Sequence, residues 1–420
     1  MKKSLLLSAL MAATCAMTQA QSLNVLPTSA DPYLFGITMS ANGKYVGGTD
    51  VMGLMFVSDW ADGKVTLTEN ADEDLGSQVR CVSNSGVGYG FNGDYCVSFS
   101  IDGTEKTYND GTEGMISGCT PDGKTLVGYL KEDIEVNGKE ITLPRPYIWK
   151  DGATEGTMLP FQMPDELGIK GNGTLATYIS EDASVICGYY IYRYPTRPIV
   201  MWHRQADGTY KYDPVFKRHI PINGTDIDGI MSPTGMSANG KWVALTVSDG
   251  NIVKLGRYDV ENDKVEIIDY EDLGDGDIME GAGIANDGAM VGYGTTELEN
   301  RYGLYCPAGS TKAQLLSVAF PGVTELADFD NDGMHVPGAI TPDGRYICGY
   351  AEREKGGNAI YNTYVLDTKG EAGVGSITVS ETNGVQSAYS LDGHRVNLDS
   401  HRGLTIIKGA DGKVSKVLKR

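Results

Sequence analysis

Histidine is scarce in this chain, with five residues in 420, and no H-E-x-x-H, G-x-S-x-G or P-loop pattern occurs. The local signatures of zinc proteases, α/β-hydrolases and nucleoside triphosphatases are therefore missing. There is no C-x-x-C pair, which removes the common zinc and thioredoxin motifs. Basic residues are in deficit: 35 Lys and Arg stand against 55 Asp and Glu, a net charge of −20. Such a chain repels phosphate backbones, so no nucleic acid partner is expected. No apolar run approaches the length of a membrane-spanning helix, so no transmembrane segment is expected. Helical spacing is nearly absent too, and Pro164–Ile169 is too short to matter.

Glycine, by contrast, is abundant at 55 residues, and 41% of the chain is hydrophobic. Without a collagen period, that glycine points to many turns around a real core. The first twenty residues read as a signal peptide. Lys2 and Lys3 precede an apolar stretch from Leu5 to Ala13, and Thr18-Gln19-Ala20 offers small residues for cleavage before Gln21. Cys15 follows Thr14, a poor lipobox residue, so cleavage is expected over lipidation. The mature chain is expected to be secreted or held at the cell surface. Its cysteines, Cys81, Cys96, Cys119, Cys187, Cys306 and Cys348, are even in number, which leaves disulfides open in an oxidising compartment. Cys187 and Cys348 lie between apolar neighbours and read as small buried hydrophobes.

Self-similarity is the strongest signal. A small or apolar residue is followed by Ser or Thr, any residue, Asp or Asn, Gly, and then a β-rich run. Met39-Ser-Ala-Asn-Gly43, Cys119-Thr-Pro-Asp-Gly123, Met236-Ser-Ala-Asn-Gly240 and Ile340-Thr-Pro-Asp-Gly344 are the clearest copies. Looser ones centre on Gly86, Ala183 and Gly288. Asn-Gly or Asp-Gly between β-rich runs is a hairpin signal, because both turn residues must tolerate positive φ. In the first repeat, Phe35 to Ser40, Lys44 to Thr49, Leu54 to Asp59 and Val65 to Glu69 read as four strands. Asn42-Gly43 turns the first pair and Asp62-Gly63 the second. Seven copies about 50 residues apart suit four short strands each. The expectation is an all-β, seven-bladed β-propeller over residues 21–372, followed by a C-terminal β-module at 373–420. A pair of β-sandwiches is the rival architecture.

The phrase, with its Ile-Trp strand and Gly turn, resembles HAF-type extracellular repeats and the repeats of Tol-system propellers, over roughly residues 33 to 370. The tail segments Ala388 to Val396, Arg402 to Lys408 and Lys416 to Arg420 resemble the C-terminal β-module of secreted Bacteroidetes proteins. That second resemblance implies export by the type IX route, with attachment to the outer surface through the module.

Two segments carry candidate chemistry. Asp328-Phe-Asp330-Asn-Asp332-Gly333 matches the first half of a calcium loop, with hard oxygens at alternate positions and a turn glycine. Asp328, Asp330 and Asp332 are therefore the candidate Ca²⁺ ligands. Together with Asp226, Asp228, Asp275 and Asp277 they precede innermost strands, and are expected to form an acidic rim around a central channel. The connection Tyr189-Tyr-Ile-Tyr-Arg-Tyr-Pro-Thr-Arg197 is expected on the same face. Its Tyr190, Tyr192, Arg193, Tyr194 and Arg197 are candidate ligand contacts, since tyrosine offers large contact area at low entropic cost. The function expected is non-catalytic binding of a glycan or protein. A lyase or glycosidase using rim carboxylates, and a purely structural spacer, are the alternatives.

Overall fold

The computed structural model describes residues 21–26, 33–69, 76–136, 138–162, 173–191, 197–215, 230–248, 253–272, 274, 277–296, 300–331, 334–355, 358–369, 385–390, 403–409 and 414–419. The expected signal peptide lies outside them. The chain divides into a compact unit at Ser22–Thr368 and a second one containing Lys369–Arg420.

In the first unit, four-stranded antiparallel meanders follow one another along the chain. The first comprises Leu34–Met39, Tyr45–Asp50, Met55–Asp59 and Lys64–Leu67. These bounds differ from the sequence reading by one or two residues, at strand ends where turn and ladder hydrogen bonds compete. Two later meanders join into one eight-stranded sheet through a short parallel pairing, Asp269↔Lys312 and Tyr270↔Ala313. Strands pair sequentially within each meander, and neighbouring meanders pack face to face. This is a β-propeller.

The recurring phrase is a wired turn. Ser40 Oγ donates to Asn42 Oδ1 at 2.7 Å and accepts from the Tyr45 amide at 2.9 Å, while the Lys44 amide donates to Asn42 Oδ1 at 3.1 Å. Thr120 with Asp122, Ser237 with Asn239 and Thr341 with Asp343 repeat this arrangement. Hydroxyl and side-chain carbonyl oxygen are both needed, which is why Ser or Thr stands two residues before Asp or Asn. Glycine follows because φ is +71° at Gly43, and a Cβ there would lie 2.3 Å from the Tyr346 ring of another meander. The turns also bond to each other. The Asn42 amide donates to Asn84 Oδ1 at 2.9 Å, the Asn84 amide to the Pro121 carbonyl at 2.7 Å, and the Asn286 amide to the Pro342 carbonyl at 2.9 Å.

The core lies between meanders rather than inside any one. Met55 and Val57 of the first pack with Val79, Val97 and Phe99 of the second. Each such side chain contributes roughly 1.5–3 kcal/mol when fully buried, so no meander is stable without a neighbour. The last sheet is completed by the beginning of the chain: Ser22–Val25 pairs antiparallel with Asn358–Asp367. Two short helices, α1 (Leu316–Ala319) and α2 (Glu325–Asn331), precede the last meander and bury Leu316, Leu326 and Phe329 against it. The sequence reading left this stretch as loop. Its apolar residues are too few for a visible helical period.

The second unit contains an antiparallel sheet of Val385–Ser390, Gly403–Gly409 and Val414–Lys419, with Tyr389 opposite Ile406 and Ile406 opposite Lys416.

Candidate functional site

A cavity of about 470 Å³ runs down the axis of the propeller and is lined by the first strand of every meander. Each of these strands is irregular at the same place. Its ladder with the next strand slips by one residue at Ile37, Arg80, Ser117, Thr177, Thr234, Ala282 and Gly338. A bulge leaves one residue out of the ladder and re-aims its side chain. Six of the seven bulge residues line the cavity. Where strands crowd most, the bulge residue must be small: a Cβ on Gly338 would come within 2.6 Å of the Ile37 backbone. Among the described residues, the Thr177 and Thr234 hydroxyl oxygens are buried without a hydrogen-bond partner. Of the two, Thr234 lines the channel, so its wall holds a polar atom that protein does not satisfy.

The charge of the lining is opposite in sign to that of the chain. Arg80 and Arg301 are the only charged residues lining the cavity among those described. Arg80 Nη1 donates to Gln78 Oε1 at 2.8 Å. The Arg301 guanidinium lies 5.4 Å from the centre of the Tyr293 ring and acts electrostatically on Tyr350. Tyr178, Tyr293 and Tyr350 complete this polar part of the wall. Burial raises the pKa of all three phenols; Glu280 adds to the rise at Tyr293, whereas Arg80 opposes it at Tyr178 and Arg301 at Tyr350. They therefore serve as neutral hydrogen-bond donors at neutral pH. Glu280 is the carboxylate that acts on Tyr293.

The residues expected from sequence fare differently. Arg197 stacks on Tyr189 at 5.0 Å and acts electrostatically on Tyr178, so it belongs to the neighbourhood of this mouth. Tyr190 is fully buried, and its hydroxyl bonds Tyr212 and the Gln162 carbonyl. It is a core residue, and that contact cannot also serve a ligand at the surface. Alternation along a strand puts Tyr189 and Tyr190 on opposite faces, which a count of tyrosines ignores. Tyr192, Arg193 and Tyr194 lie outside the described residues, as do Asp226, Asp228, Asp275 and Asp332.

The acidic rim is also rearranged. Asp328 and Asp330 sit on α2 instead of in an open loop. Asp330 accepts from Ser317 Oγ at 2.6 Å and lies 2.8 Å from His335 Nδ1. Asp277 accepts from the Gly274 amide at 3.1 Å and faces the Tyr302 hydroxyl at 3.4 Å. None of these three lines the channel. A calcium ion at Asp330 would have to compete with both of its partners.

The arginines were missed because nothing in their neighbourhood repeats. Arg80 is marked only by being the bulge residue of its strand, and Arg301 only by opening the third strand of its meander. At the turn end of the same channel a smaller cavity of about 160 Å³ is lined by Ala41, Pro121, Glu181, Ala238 and Pro342, and by both Cys81 and Cys119.

No family model matches this chain, and no curated protein matches it. Solved structures of similar fold do exist. An oligogalacturonate lyase in complex with manganese is 12% identical, covers 84% of this chain and 94% of its own, and superposes with a TM-score of 0.50. TolB from Acinetobacter baumannii is 14% identical over 79% of this chain and 82% of its own, with a TM-score of 0.40. The β-propeller domain of Cps50 (Swd1) from Myceliophteria thermophila is 9% identical over 82% and 99%, with a TM-score of 0.48. Among the described residues no helix is long and apolar enough to cross a membrane.

Proposed function

We propose that this chain is an exported, non-catalytic propeller that binds an acidic glycan at the mouth of its central channel. The observation that carries this reading is the reversal of charge: Arg80 and Arg301 line the cavity of a chain whose net charge is −20. Guanidinium groups hold carboxylates through paired, charge-assisted hydrogen bonds. Tyr178, Tyr293 and Tyr350 add phenol donors and ring faces suited to sugar rings. A cavity of about 470 Å³ falls within the range of ligand sites. Arg197, with the connecting Tyr192, Arg193 and Tyr194, extends this surface in our reading. Export rests on the signal peptide read at residues 1–20, and surface attachment on the C-terminal module. Calcium at Asp328, Asp330 and Asp332 is a separate proposal, tested by thermal unfolding with and without the ion.

One solved structure of similar fold acts on oligogalacturonate. At 12% identity that likeness reaches the fold alone, so the arginines bear the argument. The glycosidase alternative needs paired carboxylates at the cleft; among the described residues the main cavity is lined by no acidic residue and the smaller one at its turn end by Glu181 alone.

The test is binding of the purified chain to uronate-containing, sulfated and neutral oligosaccharides and to acidic peptides. Acidic glycans are expected to bind, and Arg80→Gln or Arg301→Gln to weaken binding about tenfold each. Binding to neutral glycans alone, to acidic peptides alone, or equally well in both variants would overturn the proposal.

A further inference from the structure

Six cysteines are described in the propeller, and four of them, Cys96, Cys187, Cys306 and Cys348, are buried. Cys81 and Cys119 are different. They sit on the first strands of two successive meanders, Ser77–Val82 and Gly114–Cys119, and both are only partly buried. Both line the central cavity and the smaller one below it. Both pack on the same apolar cluster, beside Tyr89 and Ile116. Cys119 is the titratable neighbour that acts on the Cys81 thiol. Two half-buried thiols on the first strands of successive meanders thus share one apolar cluster and line the same two cavities.

We infer that Cys81 and Cys119 form a reversible disulfide that staples two neighbouring blades at the wall of the channel. The co-reactant is a small external disulfide or a dithiol oxidase of the exported compartment. One cysteine, as thiolate, attacks a sulfur of the external disulfide and expels one thiol, leaving a mixed disulfide. The second thiolate attacks that mixed disulfide at the protein sulfur and expels the other thiol. The protein loses two protons and two electrons, and the external disulfide gains both. Because burial, and then Cys119, push the Cys81 thiol up, the reaction accelerates as pH rises. The inference rests on the export reading for its oxidising compartment and is independent of the glycan-binding one.

The test uses the purified full chain, reduced and then incubated with oxidised glutathione at several pH values. After denaturation and alkylation, two thiols should be missing, and the peptides carrying Cys81 and Cys119 should be linked. Cys119→Ser should instead carry one glutathione on Cys81. Reduction should lower the thermal midpoint of the wild type by about 5 °C and leave that of Cys81→Ser unchanged. If every thiol stays free, if another pair is linked, or if elemental analysis finds a metal held by both sulfurs, the inference fails. The wild-type measurement alone decides it should either variant not fold.

Discussion

His335 Nδ1 lies 2.8 Å from Asp330 Oδ1, with the imidazole wholly buried and its other nitrogen 2.9 Å from the Tyr364 hydroxyl. Both ring nitrogens are thus engaged, one by a carboxylate and the other by a phenol whose own proton is held by burial. Ser317 donates to the remaining oxygen of Asp330. An aspartate that sequence assigned to a metal loop thus ties α1 and α2 to the first and third strands of the last meander. Replacing His335 with Leu should leave Asp330 and Tyr364 without these bonds and cost about 2–3 kcal/mol. Urea unfolding measures it; a loss below about 0.5 kcal/mol would count against the network.

Two glycines separate strain from crowding. Gly43 and Gly152 both have positive φ, at +71° and +75°, but only Gly43 has a neighbour inside the space of a Cβ. Gly152→Ala should cost about 1 kcal/mol from backbone conformation alone. Gly43→Ala should cost at least twice that, since Tyr346 must also move. Equal losses in denaturant midpoints would mean that the contact between meanders is soft.

The wired turns predict an acid limb to the stability curve. Asp122 is held below its ordinary value of 3.8, first by the Thr120 hydroxyl and then by the Lys124 amide. Asp102, in a similar turn, is lowered to about 2 by Ser100 and Thr104. Carboxylates depressed in the folded state stabilise it above their unfolded pKa, and that stabilisation is lost as pH falls through the folded pKa. The thermal midpoint should therefore drop between about pH 4 and pH 2. Asp122→Asn should flatten part of that drop while leaving neutral-pH stability nearly unchanged, because Asn42 and Asn239 already build the same turn without a charge.

Salt should report on the channel mouth. If Arg80 and Arg301 grip carboxylates, raising ionic strength from about 0.05 to 0.5 M should weaken glycan binding several-fold. In the double variant Arg80→Gln/Arg301→Gln the remaining binding should depend far less on salt. Titration calorimetry at several salt concentrations distinguishes the two outcomes.

Turns and strands could be read from the sequence because their cause is local. Ser40, Asn42 and Gly43 specify one hairpin within four residues, and the same solution recurs at Thr341, Asp343 and Gly344. The channel wall could not be read this way. The bulge falls on Ile, Arg, Ser, Thr, Ala and Gly in different meanders, because each is selected by the adjoining strand and not by its own neighbours in sequence. Arg80 gains its meaning from six strands that lie far away in the chain. The burial of Tyr190 is hidden from the sequence for the same reason: it depends on Tyr212 and Gln162. The helices escaped notice because α1 has only four residues and α2 only seven, too few to show a repeat.

The strand Ser22–Val25 has its register partners at Tyr364–Asp367. A ribosome emits it long before its mates. Each meander can close as soon as its own residues emerge, whereas this segment must wait, unpaired, for almost the whole propeller to be made. Refolding in a tube should therefore end with one slow, long-range docking step.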